Sequence, residues 1–173
     1  MDTSNELHWF VGIVKSCQER KVAETLTSMG VESYLPVQRV KRVWSDRVKI
    51  IDKLVLPRYI FIHTIESNRR PLLQNIYGLT SFIARGIGNP VVVPDIQMER
   101  FMQMVAKSVG KLYFCTESVA PGDEVTIVEG ALAGLTCEIV RFRGEGRWAV
   151  VRLGSFGNII ATVDTNAVRK NIE

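Results

Sequence analysis

The last third of this chain permits little except antiparallel strand. Between residues 121 and 170, short runs rich in valine and isoleucine span Glu124–Val128, Cys137–Phe142, Trp148–Leu153 and Ile159–Val163, with a stub near Val168. Gly130, Gly134, Gly144, Gly146, Gly154 and Gly157 separate them. A helix interior loses roughly 1 kcal/mol for each glycine relative to alanine. The β-branched residues between the glycines favour strands. Trp148–Leu153 alternates apolar and polar instead of following the helical period. Short strands at this spacing predict a small antiparallel barrel, close to the lower size limit for a self-standing core.

The earlier part follows a different pattern. Trp9–Val14 reads as a strand. Ser16, with Glu19 three residues on, forms a capping-box pattern that opens a helix running to about Met29. Val22, Leu26 and Met29 give that helix its apolar stripe, and Gly30 stops it. Glu32–Leu35 is a short strand ended by Pro36, and Val37–Ile51 reads as a hairpin around Ser45-Asp46-Arg47. Leu54–Thr64 is the strongest strand, with Tyr59 and Phe61 on one face. A helical turn at Pro71–Tyr77, short strands at Leu79–Ala84 and Val91–Val93, and a helix from Pro94-Asp95 to about Lys107 complete this part. That last helix carries Ile96, Phe101, Met104 and Val105 as its apolar residues. Strands interleaved with helices predict an α+β or α/β domain. The expected division is therefore 1–107, a linker at 108–120 made adhesive by Leu112, Tyr113 and Phe114, and 121–173.

The net charge is only +4, but it is concentrated. Residues 1–107 hold 15 Lys and Arg against 10 Asp and Glu, a balance of +5, while residues 108–173 hold 7 against 8. Gln38–Arg58 alone carries Arg39, Lys41, Arg42, Arg47, Lys49, Lys53 and Arg58 against Asp46 and Asp52, which equals the whole excess of the first part. A basic arm on a near-neutral body suggests a nucleic-acid backbone as partner. A solvated hairpin fits the same spacing.

Signals for chemistry are sparse. Cys17, Cys115 and Cys137 are odd in number, far apart and free of any C-x-x-C pair, so free thiols are expected rather than a disulfide framework or zinc site. His8 and His63 are the only histidines. There is no G-x-S-x-G, P-loop or metal-type histidine pair, and Gly86-Ile87-Gly88 is a turn signal. A binding protein without cofactor or metal is expected, with an unrecognised enzyme as one alternative. No apolar run approaches the roughly 18–20 residues of a membrane span, and the polar start M-D-T-S-N-E-L-H lacks a basic signal region. The cytoplasm is the expected compartment, with no membrane partner. Adjacent Trp9 and Phe10 must point to opposite faces of their strand. An exposed aromatic cluster with Tyr59 and Phe61 would be an interface anchor, whereas aromatics in central strands are usually core.

The ordered set of segments Trp9-Phe10-Val11, Gln18-Glu19-Arg20-Lys21-Val22-Ala23, Tyr34-Leu35-Pro36, Leu56-Pro57-Arg58-Tyr59-Ile60-Phe61 and Gly78-Leu79-Thr80-Ser81-Phe82-Ile83, followed by Pro90 and Val93-Pro94, resembles the NusG family of transcription elongation factors. Pro121-Gly122-Asp123-Glu124-Val125, Glu129-Gly130-Ala131-Leu132-Ala133-Gly134 and Val150-Val151-Arg152-Leu153 are similar to a KOW domain. The details look more like specialised RfaH-like, and especially UpxY-like, antiterminators of polysaccharide operons than like the housekeeping factor. Arg58 stands where the family commonly has glycine, and Asn158 follows the Phe156-Gly157 pair where the housekeeping loop commonly has arginine. The resemblance implies an α/β sandwich followed by a small SH3-like β-barrel, in a monomer. The sandwich would dock on the clamp helices of the largest RNA polymerase subunit through Trp9, Phe10, Pro57, Tyr59 and Phe61, with Phe82 and Ile83 beside them. Arg39, Lys41, Arg42, Arg47, Lys49 and Lys53 would lie near upstream or nontemplate DNA. The KOW part would recruit, with Rho or the ribosome as its partner in the housekeeping branch. The alternatives are the housekeeping factor itself and a ribosome-binding or RNA-binding KOW protein.

Overall fold

The computed structural model describes residues 5–117, 119–141, 147–163 and 168–170. The chain divides into two compact units, and helices and strands mix along it, in keeping with the expected α+β class. The first comprises Met1–Pro36, Leu56–Asp95 and the three residues Gly154–Phe156. The second comprises Val37–Val55, Ile96–Leu153 and Gly157–Glu173.

In the first unit, β1 (Leu7–Val14) is flanked by β5 (Tyr59–Ile65) and β6 (Leu79–Phe82). β2 (Glu32–Tyr34) extends the sheet beyond β5, and β7 (Val92–Val93) pairs with β1. The antiparallel register of β1 and β5 sets Trp9 opposite His63, Val11 opposite Phe61 and Ile13 opposite Tyr59 on one face. Phe10 opposite Ile62 and Gly12 opposite Ile60 occupy the other. Helices α1 (Glu19–Ser28) and α2 (Arg69–Asn75) supply that second face with Val22, Leu26 and Leu72, which join Phe10, Val14, Ile60, Ile62, Ile76, Leu79 and Phe82 in one buried cluster. α1 ends one residue short of Met29, which turns outward and is exposed.

Two local features depart from the sequence reading. Ser16 does not cap α1: Gln18 occupies that position, and no side chain there bonds the helix. Glu19 is instead buried and accepts a hydrogen bond from the backbone N–H of Arg58 at 3.0 Å. The stretch Leu54–Thr64 is not one strand, because Leu56–Tyr59 forms a turn closed by Tyr59 N–H donating to the Leu56 carbonyl. Pro57 suits the second position of such a turn, and Arg58 takes the third with φ of +70°.

In the second unit, β3 (Val37–Val43) and β4 (Val48–Leu54) form the expected hairpin. α3 (Asp95–Lys107), of which all but the first residue lies in this unit, buries Met98, Phe101, Met104 and Val105 and leaves Ile96 exposed. The remaining strands are β8 (Tyr113–Cys115), β9 (Asp123–Ile127), β10 (Thr136–Arg141), β11 (Arg147–Leu153), β12 (Gly157–Val163) and β13 (Val168–Lys170). They make one antiparallel sheet in the order β13-β9-β10-β11-β12-β8. Its segments match the runs read from the sequence, while Phe142, Gly144 and Gly146 lie outside the described residues. Within the stretch expected as a linker, Tyr113–Cys115 pairs with Asn158–Ile160 as the sixth strand.

One polar network fastens this sheet. Arg152 on β11 donates through Nε and Nη2 to both carboxylate oxygens of Glu138 on β10, at 2.6 and 2.8 Å, and to the Val119 carbonyl at 3.3 Å. The Gly122 N–H donates to the same carboxylate at 3.3 Å. A Cβ at Gly122 would sit 2.3 Å from the Ile139 carbonyl oxygen, so only glycine allows the chain to pass so close to β10.

Candidate functional site

Two surfaces were expected to carry function, and each lies within one unit. In the first unit, the strand face holding Trp9, Val11, Tyr59, Phe61 and His63 is aromatic. The Trp9 ring stacks on His63 with centroids 4.6 Å apart and planes 10° from parallel. His63 Nδ1 meets the Glu32 carboxylate at 2.7 Å, a packed histidine rather than one presented to a reactant. Phe61 is fully buried and Trp9 nearly so, whereas Tyr59 is half-buried at the end of β5. Burial pushes the Tyr34 hydroxyl, on the same face, up to about 12.

The seven expected docking residues therefore separate. Phe10 and Phe82 belong to the core on the helix-covered face, 6.1 Å apart edge to face, with the Arg69 guanidinium over both rings. Trp9 and Phe61 belong to the aromatic face but are buried within it. Pro57 is exposed, and Tyr59 and Ile83 are half-buried, so the turn Pro57-Arg58-Tyr59 is the accessible edge of the cluster. The short loop Gly154–Phe156 also belongs to this unit. Phe156 lies edge-on to Tyr59 at 5.1 Å and to Phe61 at 6.0 Å. The loop can lie there because Gly154, with φ of +56°, lacks a Cβ that would fall 2.4 Å from the Val92 carbonyl oxygen. Arg85 donates to the Ser155 carbonyl at 3.2 Å. Nothing in the spacing of the sequence pointed to Phe156.

In the second unit, the hairpin gathers all six expected cations. Every residue from Lys41 to Ile50 is exposed. At the base of the hairpin, Gln38 is buried and donates to the carbonyls of Ser108 and Gly110 at 2.8 Å each. Arg39 and Arg47 face Asp52 and Asp46 at 3.7 and 3.8 Å, exposed pairs that contribute little. Lys41, Arg42 and Lys49 have no carboxylate partner among the described residues. Register places Arg42 directly opposite Lys49. The arm thus offers adjacent positive charges that no carboxylate among the described residues neutralises. Among the described residues no group of acidic, histidine or cysteine side chains could hold a metal ion, and no helix is long and apolar enough to cross a membrane.

Residues 7–102 match the family described as "NusG: Transcription termination factor nusG". The chain belongs to the NusG family. The NusG match begins at β1 and ends within α3, so it contains both the aromatic strand face and the basic hairpin. No curated protein matches. The chain is similar in fold to the solved structure "Domain interaction in Thermotoga maritima NusG", at 18% identity and a TM-score of 0.50, over 96% of this chain and 98% of that one. Two structures of the MjSpt4:Spt5 complex, conformations A and B, match at 12% and 13% identity with TM-scores of 0.31 and 0.33, over 94% and 95% of this chain and 96% and 97% of theirs. Within the NusG frame, the left-handed φ of Arg58 accounts for the glycine that the family commonly places there, since glycine adopts such a φ without steric cost.

Proposed function

We propose that the chain is a transcription elongation and antitermination factor that acts by binding, not by catalysis. The first unit binds the clamp helices of the largest RNA polymerase subunit through the aromatic edge around Pro57 and Tyr59. Trp9 and Phe61 hold that edge from beneath, and Phe10 and Phe82 stabilise the strands through the core. Binding at Tyr59 exchanges its Phe156 contact for the polymerase. The basic hairpin lies against upstream or nontemplate DNA and adds affinity through phosphates without reading sequence. Holding the clamp closed disfavours pausing and termination.

The observation that carries this reading is the family match over 7–102, which contains both surfaces in one segment. Within the family, we assign the chain to the specialised UpxY-like or RfaH-like branch serving polysaccharide operons, with the C-terminal sheet as a KOW-type recruiting module. Asn158 supports that choice over the housekeeping branch. It is buried and donates to the Glu117 carbonyl at 3.1 Å, a structural use of the position where the housekeeping loop carries an arginine. A purified transcription assay tests the whole reading. The full chain should lengthen transcripts through a pause and an intrinsic terminator, and neutralising Lys41, Arg42 and Lys49 should blunt the effect. Pausing and termination unchanged at saturating protein would overturn it.

A further inference from the structure

The apex of the hairpin carries a feature that charge alone does not explain. Trp44 sits beside the turn, where its backbone N–H donates to the Arg47 carbonyl at 2.8 Å, and the residue is 50% exposed. Half of this large apolar surface faces water at the tip of an arm, so core packing does not account for a tryptophan there. The Arg42 guanidinium lies 5.2 Å from the centre of the Trp44 ring, and Lys49 stands opposite Arg42 in register. The same apex therefore presents a flat aromatic surface, a cation stacked on it and a second cation one strand away.

We propose that Trp44 is a stacking platform for an unpaired base of single-stranded nucleic acid, with Arg42 and Lys49 on the flanking phosphates. This rests on the reading of the arm as a nucleic-acid surface and names the form of nucleic acid it takes. Single-strand binding combines a cationic track along the backbone with aromatic rings that accept any base. Paired bases in a duplex offer no free face to Trp44, so the ring discriminates strand state, not sequence. Exposed Val43, Val48 and Ile50 could instead suit an apolar partner. Register puts Val43, Val48 and Ile50 with Lys41 on the opposite face of the ribbon from Arg42 and Lys49, so the cations beside Trp44 favour a polyanion with flat, unpaired rings.

The test uses the full chain with a short oligothymidylate, the matching duplex and vesicles containing anionic phospholipid. Trp44→Ala should lower affinity for the single strand by about 5- to 100-fold, the range that follows from losing one base–aromatic stack. Trp44→Phe should restore most of it. Duplex affinity and the salt dependence of both complexes should stay within about twofold of the parent, because a stack releases no counterions. The single strand should quench the parent's tryptophan emission, and Trp44→Phe should abolish that quenching. Equal single-strand affinity in the parent and Trp44→Ala, or a Trp44 signal that responds to vesicles and not to the oligonucleotide, would overturn the proposal. Failure of the underlying reading looks different: neutralising Lys41, Arg42 and Lys49 would then leave the salt dependence of duplex binding unchanged. Circular dichroism of each variant confirms the fold.

Discussion

Glu138→Gln tests how the second sheet is held together. The parent carboxylate accepts two hydrogen bonds from Arg152, at 2.6 and 2.8 Å, and one from the Gly122 N–H. The Arg152 and Glu138 side chains are 29% and 24% exposed, so solvent screens part of the interaction. A hydrogen bond to a charged group contributes about 1.5–3 kcal/mol, and after discounting two such bonds for screening the loss should be about 2 kcal/mol. For a chain of this length that is a fall of roughly 4–8 °C in melting temperature. The hydrogen bond from Arg152 holds the Glu138 carboxyl below its ordinary value of 4.5, against burial, with help from Gly122 and from the charges of Arg152 and Arg100. A depressed carboxylate contributes stability that is fully present above the unfolded value and lost as pH falls through the folded one. The parent should therefore lose its advantage over Glu138→Gln on acidification below about pH 4.5, and denaturation of both proteins at about pH 7 and about pH 3 measures it. Equal stability at neutral pH, or a gap that does not narrow in acid, would contradict this role for the Glu138 carboxylate.

Three further outcomes follow from the described geometry. Arg58→Gly should gain up to about 1 kcal/mol at the left-handed turn, whereas Glu19→Ala should lose about 1–3 kcal/mol by leaving the Arg58 N–H unpaired; thermal melts separate the two. Neutralising Lys41, Arg42 and Lys49 together should lower the salt slope of duplex binding by roughly 2–3, read from a titration series. Cys17, which is exposed, should react with an aromatic disulfide reagent at once, while Cys137 should wait for unfolding, because burial pushes its thiol up to about 12; prompt labelling of Cys137 would contradict the burial.

Strand parity was legible because the side-chain period of two is local: the shared face of Tyr59 and Phe61 follows from spacing, and the register bears it out. The glycine-punctuated runs became strands for the same reason. What could not be read depended on distant partners. The turn at Pro57-Arg58 was hidden because arginine, not glycine, occupies the left-handed position, and the N–H it presents is satisfied by Glu19, 39 residues away in sequence. That distant bond also takes Glu19 from the expected capping box. Trp9 and Phe10 were known to point apart, but that both are buried depends on cover over each face of the sheet. Tyr113–Cys115 looked adhesive in sequence, and only its pairing with β12 made it a strand. The basic arm was visible as charge, while the placement of the Arg42 guanidinium over the exposed Trp44 ring depends on side-chain geometry at the apex.

The edge around Tyr59 is the proposed meeting point of this chain with RNA polymerase. The most direct measurement is equilibrium binding of the full chain to core RNA polymerase, parent against Tyr59→Ala, with Ile87→Ala as a control at a fully exposed position elsewhere in the first unit. The parent should bind, Ile87→Ala should match it, and Tyr59→Ala should weaken binding by about 2 kcal/mol or roughly 30-fold while keeping the parent's circular dichroism. A folded Tyr59→Ala protein with the parent's affinity would contradict it.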